Sequence, residues 1–245
     1  MAASDIQHVT SASTGSSGGA IAAGPVVIVS GVSNNVWPNI DATERLAGGL
    51  RLRKTFFLNT HATEQFPAPV LYTPVLPLNA TLQIGFGINH TSDDDYLQGN
   101  MAAWSAAAKV ALISDGADTR VVTIVGLDNT GTPVPVTENV TLTGAVEVLS
   151  VATFTKVWAV YVASVSASRT VLVKQGAAGT TRGTIGLNKI ICWLWVTAGT
   201  TIGAGISLLP LVALQSFGIW RKLSWIAGAA VTRPNTLTIK MEEKT

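Results

Sequence analysis

Short β-branched runs alternating with compact turn residues mark most of this chain as strand, and the pattern is clearest in residues 120–162. Two turn signals punctuate that stretch, Asp128-Asn129-Thr130-Gly131 and Thr143-Gly144-Ala145, the second after the alternating Val140-Thr141-Leu142-Thr143. In residues 154–162, Phe154, Trp158, Val160 and Val162 share a face that Lys156 interrupts near its start. Further strands are predicted over 169–174 and 183–187, with Gly176-Ala177-Ala178-Gly179 as a hairpin loop. That tetrad is not a phosphate loop, because no Walker lysine and no helical pattern follow it. About seven short strands at this spacing predict a β-sandwich over residues 114–189.

The flanking segments carry the same signal more weakly. Residues 25–29, Pro25-Val26-Val27-Ile28-Val29, read as a first strand, and 51–59 as the clearest strand of the first half, with a basic head that either pairs with acidic neighbours or is simply solvated. Asp41 can cap one helical turn that Gly48-Gly49 ends. Pro67, Pro69, Pro74 and Pro77 limit residues 65–79 to an edge strand with loops on either side. Residues 81–88 read as a half-buried strand with Leu82, Ile84, Phe86 and Ile88 on the face hidden in a sandwich core. Residues 96–110 are predicted as the one short helix, with Met101, Trp104 and Ala108 on one side. Residues 236–241 form the closing strand.

Residues 1–24 lack the apolar content to offset their own ordering entropy, and Ser11 to Gly19 is low in complexity, so a flexible arm is expected that orders against neighbouring subunits. The predicted organisation is an all-β chain of two β-sandwich-like domains, one inserted into the other. The arm is 1–24, the discontinuous outer domain 25–113 with 190–245, and the inserted domain 114–189.

Composition narrows the function classes. Charged residues are only 12% of the chain, against roughly 25% in ordinary soluble domains, which suits a surface covered by partner subunits and a homo-oligomer. The formal charge is +2 with no basic run, so no nucleic-acid footprint is expected. Residues 190–220 are uncharged but diluted by Gly and Thr and broken by Pro210, which predicts strands and turns instead of a membrane span. Met1 to Ser17 is small and polar, unlike a secretory signal. The single cysteine, Cys192, lies in an apolar run and is expected to be a buried, inert thiol.

Candidate chemistry is sparse. Asp93, Asp94 and Asp95 are consecutive, so their carboxylates point different ways and suit a solvated loop better than a calcium loop. No second acidic cluster exists to pair with them for glycoside hydrolysis. His8, His61 and His90 lie apart, and none accompanies a nucleophile signature. No enzyme, cofactor or metal is therefore expected. Four of the seven tryptophans fall after residue 189, and Trp193, Trp195, Trp220, Arg221 and Trp225 are read as either a heavily packed core or a subunit interface. Trp37, Tyr72 and Trp104 are the stacking platforms that a glycan- or receptor-binding module would use.

The runs Gly126 to Gly131, Val136 to Gly144 and Phe154-Thr155-Lys156-Val157 resemble a pattern found in virion structural proteins of tailed bacteriophages. The segments Arg53 to Asn59 and Phe217 to Lys222 are similar to the strands that such proteins place around an inserted Ig-like β module. Leu223-Ser224 departs from the more polar continuation expected there. The resemblance implies a virion protein made in the host cytoplasm, packing against capsid, portal or neck, or tail subunits. It implies capsid decoration or a head-to-tail neck position, with a tail component as the alternative.

Overall fold

The computed structural model describes residues 5–13, 18–29, 36–37, 40–74, 80–91, 95–130, 135–197, 199–228 and 240–243. Gly131 of the first turn, Asp93 and Asp94, Pro77, and residues 236–239 of the expected closing strand lie outside them. The fold is all-β and sandwich-like, built from antiparallel sheets without a closed barrel. It divides into two compact units, residues 1–96 with 196–245, and residues 97–195. In sequence, the second unit is therefore inserted into the first.

The first unit is organised on a five-stranded sheet. Its strands are β1 (Ile6–Thr10), β2 (Gly49–Asn59), β4 (Ala80–Gly87), β12 (Val196–Thr197) and β14 (Ser216–Trp225), in the order β1-β2-β14-β4-β12. Ten residue pairs join β14 to β2 and eight join it to β4, so the last long strand of the chain sits between two early ones. Both faces of this sheet are covered, which is why β2 does not alternate simply: Phe56 and Phe57 point to opposite faces and both are buried. Helix α1 (Ala42–Ala47) precedes β2. Asp41 caps it as the sequence predicts, accepting from the Glu44 amide, and the structure adds a reciprocal bond in which the Glu44 carboxylate accepts from the Asp41 amide.

A smaller sheet orders β3 (Pro69–Tyr72) between β13 (Ile206–Ser207) and β15 (Lys240–Glu243). The proline-rich stretch thus supplies a central strand, not the expected edge strand. Pro67 and Pro74 fall outside β3, and Pro69 occupies its first position, so the prolines withdraw no donor from the strand interior.

The N-terminal arm departs most from expectation. Residues 6–10 form β1, in register from Ile6 opposite Asn59 to Thr10 opposite Thr55. On the outer edge of β1, Val27 bridges Val9, and the Ile28 amide donates to the His8 carbonyl at 2.7 Å. Residues 25–29 are therefore a fringe to β1, not an independent strand. The alternation Ile6-Gln7-His8-Val9-Thr10 carries the strand signal, which the low-complexity run after it obscures.

The second unit contains β5 (Ala108–Ser114), β6 (Val121–Asp128), β7 (Pro135–Thr141), β8 (Val148–Val162), β9 (Val171–Gln175), β10 (Thr180–Ile185) and β11 (Ile191–Trp193). The strand β5, which the expected boundaries leave in the outer domain, hydrogen-bonds here to β8 and β9. The 15-residue β8 serves two sets of partners: its first half pairs with β5, and its second half with β6 and β11. Register shifts in both ladders allow the change of partner, as bulges do at sandwich corners. Side chains finish the corner. Ser150 Oγ accepts from the Val110 amide, and the Glu138 carboxylate of β7 accepts from the amides of Val151 and Ala152. The hairpin loop 176–179 joins β9 to β10 as predicted.

Residues 96–110 are not a helix. A single 3-10 turn, Tyr96–Gln98, is followed by extended chain, because its backbone is taken by neighbouring strands. Met101 bridges Leu194 and its amide donates to the Trp193 carbonyl, while the Ala102 amide donates to the Arg182 carbonyl. Tertiary pairing here overrides the helix propensity of alanine.

Residues 190–220 resolve into the short strands β11, β12 and β13, a 3-10 turn at Ile202–Ala204 and the start of β14. Among the described residues no helix is long and apolar enough to cross a membrane. Cys192 is fully buried, and burial pushes its thiol up to about 12. Alkylation with iodoacetamide at pH 8 is expected to leave Cys192 unmodified in the native protein and to modify it fully in denaturant. Mass spectrometry of the two samples checks this.

Candidate functional site

Cross-strand pairs share a face, so the register of β1, β2 and β14 assigns the side chains of these three strands to the two faces of the first unit's main sheet. On one face Lys54 lies opposite Trp220. On the other, His8 lies opposite Phe57, and Thr55 and Arg221 project beside it. Two long cationic side chains are thus placed inside the unit, one on each face, and Lys54 and Arg221 are each only 2% exposed.

Lys54 joins three parts of the chain. Its ammonium donates to the carbonyls of Gly19 and Ile88, both at 2.7 Å, and stands 5.1 Å from the Phe56 ring centroid and 5.8 Å from that of Trp220. Gly18 lies directly upon this group. A Cβ added there would come within 2.6 Å of Lys54 Cδ and of Trp220 Cζ2, so the glycines of the low-complexity run let the backbone approach. The sequence expectation of a solvated basic head fails for Lys54 because the chain itself covers that face. Arg51 instead takes the other expected course and pairs with an acidic neighbour, its Nη2 donating to both carboxylate oxygens of Glu44 at 2.6 and 2.7 Å. Replacing Lys54 with Met strands two carbonyls and is expected to cost about 2 kcal/mol. The check is denaturant unfolding, accompanied by faster proteolysis within residues 11–28.

Arg221 crosses from β14 over β2 to reach His8 on β1. Its Nη2 donates to His8 Nε2, which also lies 3.0 Å from Thr55 Oγ1, and the imidazole stacks on Phe57 at 4.7 Å. Arginine has no acceptor, so Nε2 must carry the lone pair, and His8 is the neutral Nδ1–H tautomer. Burial holds its pKa well below the usual histidine value, and the charge of Arg221 adds to the effect. Burial likewise pushes the Arg221 guanidinium down to about 9. Among the described residues no carboxylate accompanies Arg221, and its Nε has no hydrogen-bond partner. Arg53, on the same face, donates its Nε to the Val36 carbonyl, and burial and then Arg51 lower its pKa.

These groups hold chain to chain. No set of three His, Cys, Asp or Glu side chains that could bind a metal occurs among the described residues. Of the consecutive aspartates, only Asp95 is described.

The five candidate interface residues fall into two groups. Trp193 and Trp195 meet edge to face at 5.8 Å in the second unit, and Trp220, Arg221 and Trp225 lie along β14 in the first. Trp193, Trp220, Arg221 and Trp225 are buried within the folded chain, so of the two readings the packed core describes them. Only Trp195 keeps partial exposure. Tyr72 is buried and so offers no stacking platform, while Trp37 and Trp104 are half-buried with their indole nitrogens enclosed.

Exposed apolar side chains occur elsewhere. Val26, Val27 and Val29 are exposed on the fringe of β1. In the second unit, Leu149 and Leu172 are exposed on one face of the β9-β5-β8 ladder, which also carries the Lys174–Glu147 ion pair at 2.6 Å, and Val151 is 85% exposed. Sequence patterning did not mark these positions, because a valine in a strand reads as core until the register assigns its face.

No protein-family model matches the chain, and comparison with curated proteins and with solved structures yields no significant match.

Proposed function

We propose that this chain is a structural component of a tailed-phage virion that works by packing against other subunits, as a capsid decoration or head-to-tail neck protein. The observation that carries the packing role is the pairing of low overall charge with apolar side chains placed outward on sheet surfaces. Leu149, Leu172 and Val151 lie on one sheet of the second unit, and Val26, Val27 and Val29 on the fringe of the first unit's sheet. Only 12% of residues are charged, so such patches have little around them to keep copies apart. The virion setting comes from the resemblance of residues 126–131, 136–144 and 154–157 to phage structural proteins. A tail component is the alternative position.

The test is the mass of the purified protein in solution together with its copy number in purified particles. Particle association at high copy number supports capsid decoration, and a copy number matching a single ring supports the neck. A stable monomer that never co-purifies with particles would overturn the proposal.

A further inference from the structure

We infer that the contact between His8 and Arg221 is a proton-operated latch that fastens the N-terminal strand β1 to the edge of β2 and releases it under mildly acidic conditions. The geometry requires a neutral imidazole. Nε2 accepts from a guanidinium that can only donate, so a proton on Nε2 would set one N–H against another inside the unit. Rotation of the ring offers little relief, since it is stacked on Phe57 and bounded by Thr55. Protonation must therefore break the contact, and the element carrying His8 is an edge strand whose inner pairing is to β2 alone.

The surroundings supply no compensating negative charge among the described residues. From β14, Arg221 faces the imidazole. From β2, Arg53 shares its face one rung beyond Thr55, while Lys54 and, from β14, Lys222 point to the opposite face. Residues 18–29, which fringe the outer edge of β1, contain no ionisable side chain, and Asp5 precedes the strand. A charged His8 thus meets cations and no anion. Release of β1 frees the imidazole to water and opens the backbone edge of β2 at residues 55–59. Lys54, on the other face, still holds Gly19, so the opening is confined to one side of the sheet.

The sign follows from linkage. The released imidazole takes up a proton near its ordinary value of about 6.5, whereas the latched one resists it, so the opening constant rises about tenfold per pH unit below about 6.5. It levels off once the pH passes the lowered value of the latched form. The second unit provides an internal control, since all three histidines, His8, His61 and His90, lie in the first.

Hydrogen exchange on the full chain between pH 7.5 and 5.0, expressed as protection factors, tests the latch. The expected result is a roughly tenfold loss of protection per pH unit below about 6.5 in residues 6–10 and 55–59, with residues 108–114 and 171–175 unchanged. His8→Gln, which keeps an acceptor that does not titrate in this range, is expected to give a flat profile. His8→Phe, which keeps the ring on Phe57, is expected to do the same should the glutamine variant misfold. A flat profile in the wild-type chain overturns the inference, as does a pH step that survives both substitutions. Equal loss of protection in β4 and β14 also overturns it, because the proton would then act on the whole sheet and not on one strand.

Discussion

Replacing Trp220 with Ala is expected to lower the stability of the protein by about 3–5 kcal/mol, which places it among the most damaging single substitutions in the chain. Trp220 is fully buried at the centre of β14, with Lys54 of β2 on one side and Gly85 of β4 on the other. Its removal leaves a cavity beneath Gly18 and strips an aromatic face from the Lys54 ammonium, so a transfer loss and a weakened cation site fall in one place. Urea unfolding followed by circular dichroism measures the loss. Trp220→Phe, which keeps a ring at the site, should recover more than half of it. A loss below about 1 kcal/mol for the alanine variant would mean that the residue lies at a surface after all.

Gly126→Val is expected to cost about 3 kcal/mol, by overpacking instead of cavity formation. Gly126 stands where the β6–β8 ladder shifts register, opposite Val157. A Cβ built there collides with the Lys156 carbonyl oxygen and lies 2.8 Å from Phe154 Cδ1. The first obstacle is backbone, which cannot rotate aside, so relief requires opening the bulge that lets β8 change partners. Gly203→Ala is the control: it lies in a short 3-10 turn with nothing within 4 Å of the added carbon, and is expected to be neutral or slightly stabilising. Thermal unfolding of the two variants side by side decides the point, and equal melting temperatures would refute it.

The parts of this fold that were legible in sequence are those whose signals are local. Asp41 announces a helix start, β4 shows a clean alternation, and loop 176–179 carries two glycines between strands. The apolar run around Cys192 told its burial. What escaped reading depends on partners distant in sequence. Met101 to Ala106 has helix-forming residues, but the Met101 and Ala102 amides are committed to the carbonyls of Trp193 and Arg182, and the Ser105 amide to the Gln175 side chain. Lys54 looks like a surface charge because nothing near it in the sequence states that both faces of the sheet are covered. His8 looked incidental, since its meaning depends on an arginine 213 positions later. The outward valines and leucines were invisible for the same reason: alternation shows that two faces differ, while only the register shows which one meets solvent.

The central place of β14 also orders events during synthesis. Every strand of the second unit lies within residues 97–195, so that unit is complete in sequence while the chain is still growing. The first unit's main sheet cannot close at that stage. β2 and β4 do not pair with each other, and both wait for residues 216–225 to be made. The inserted unit is therefore expected to fold first, while β2 and β4 remain as apolar strands with open edges. That interval is the window of greatest exposure to aggregation, and it ends when β14 slots between them.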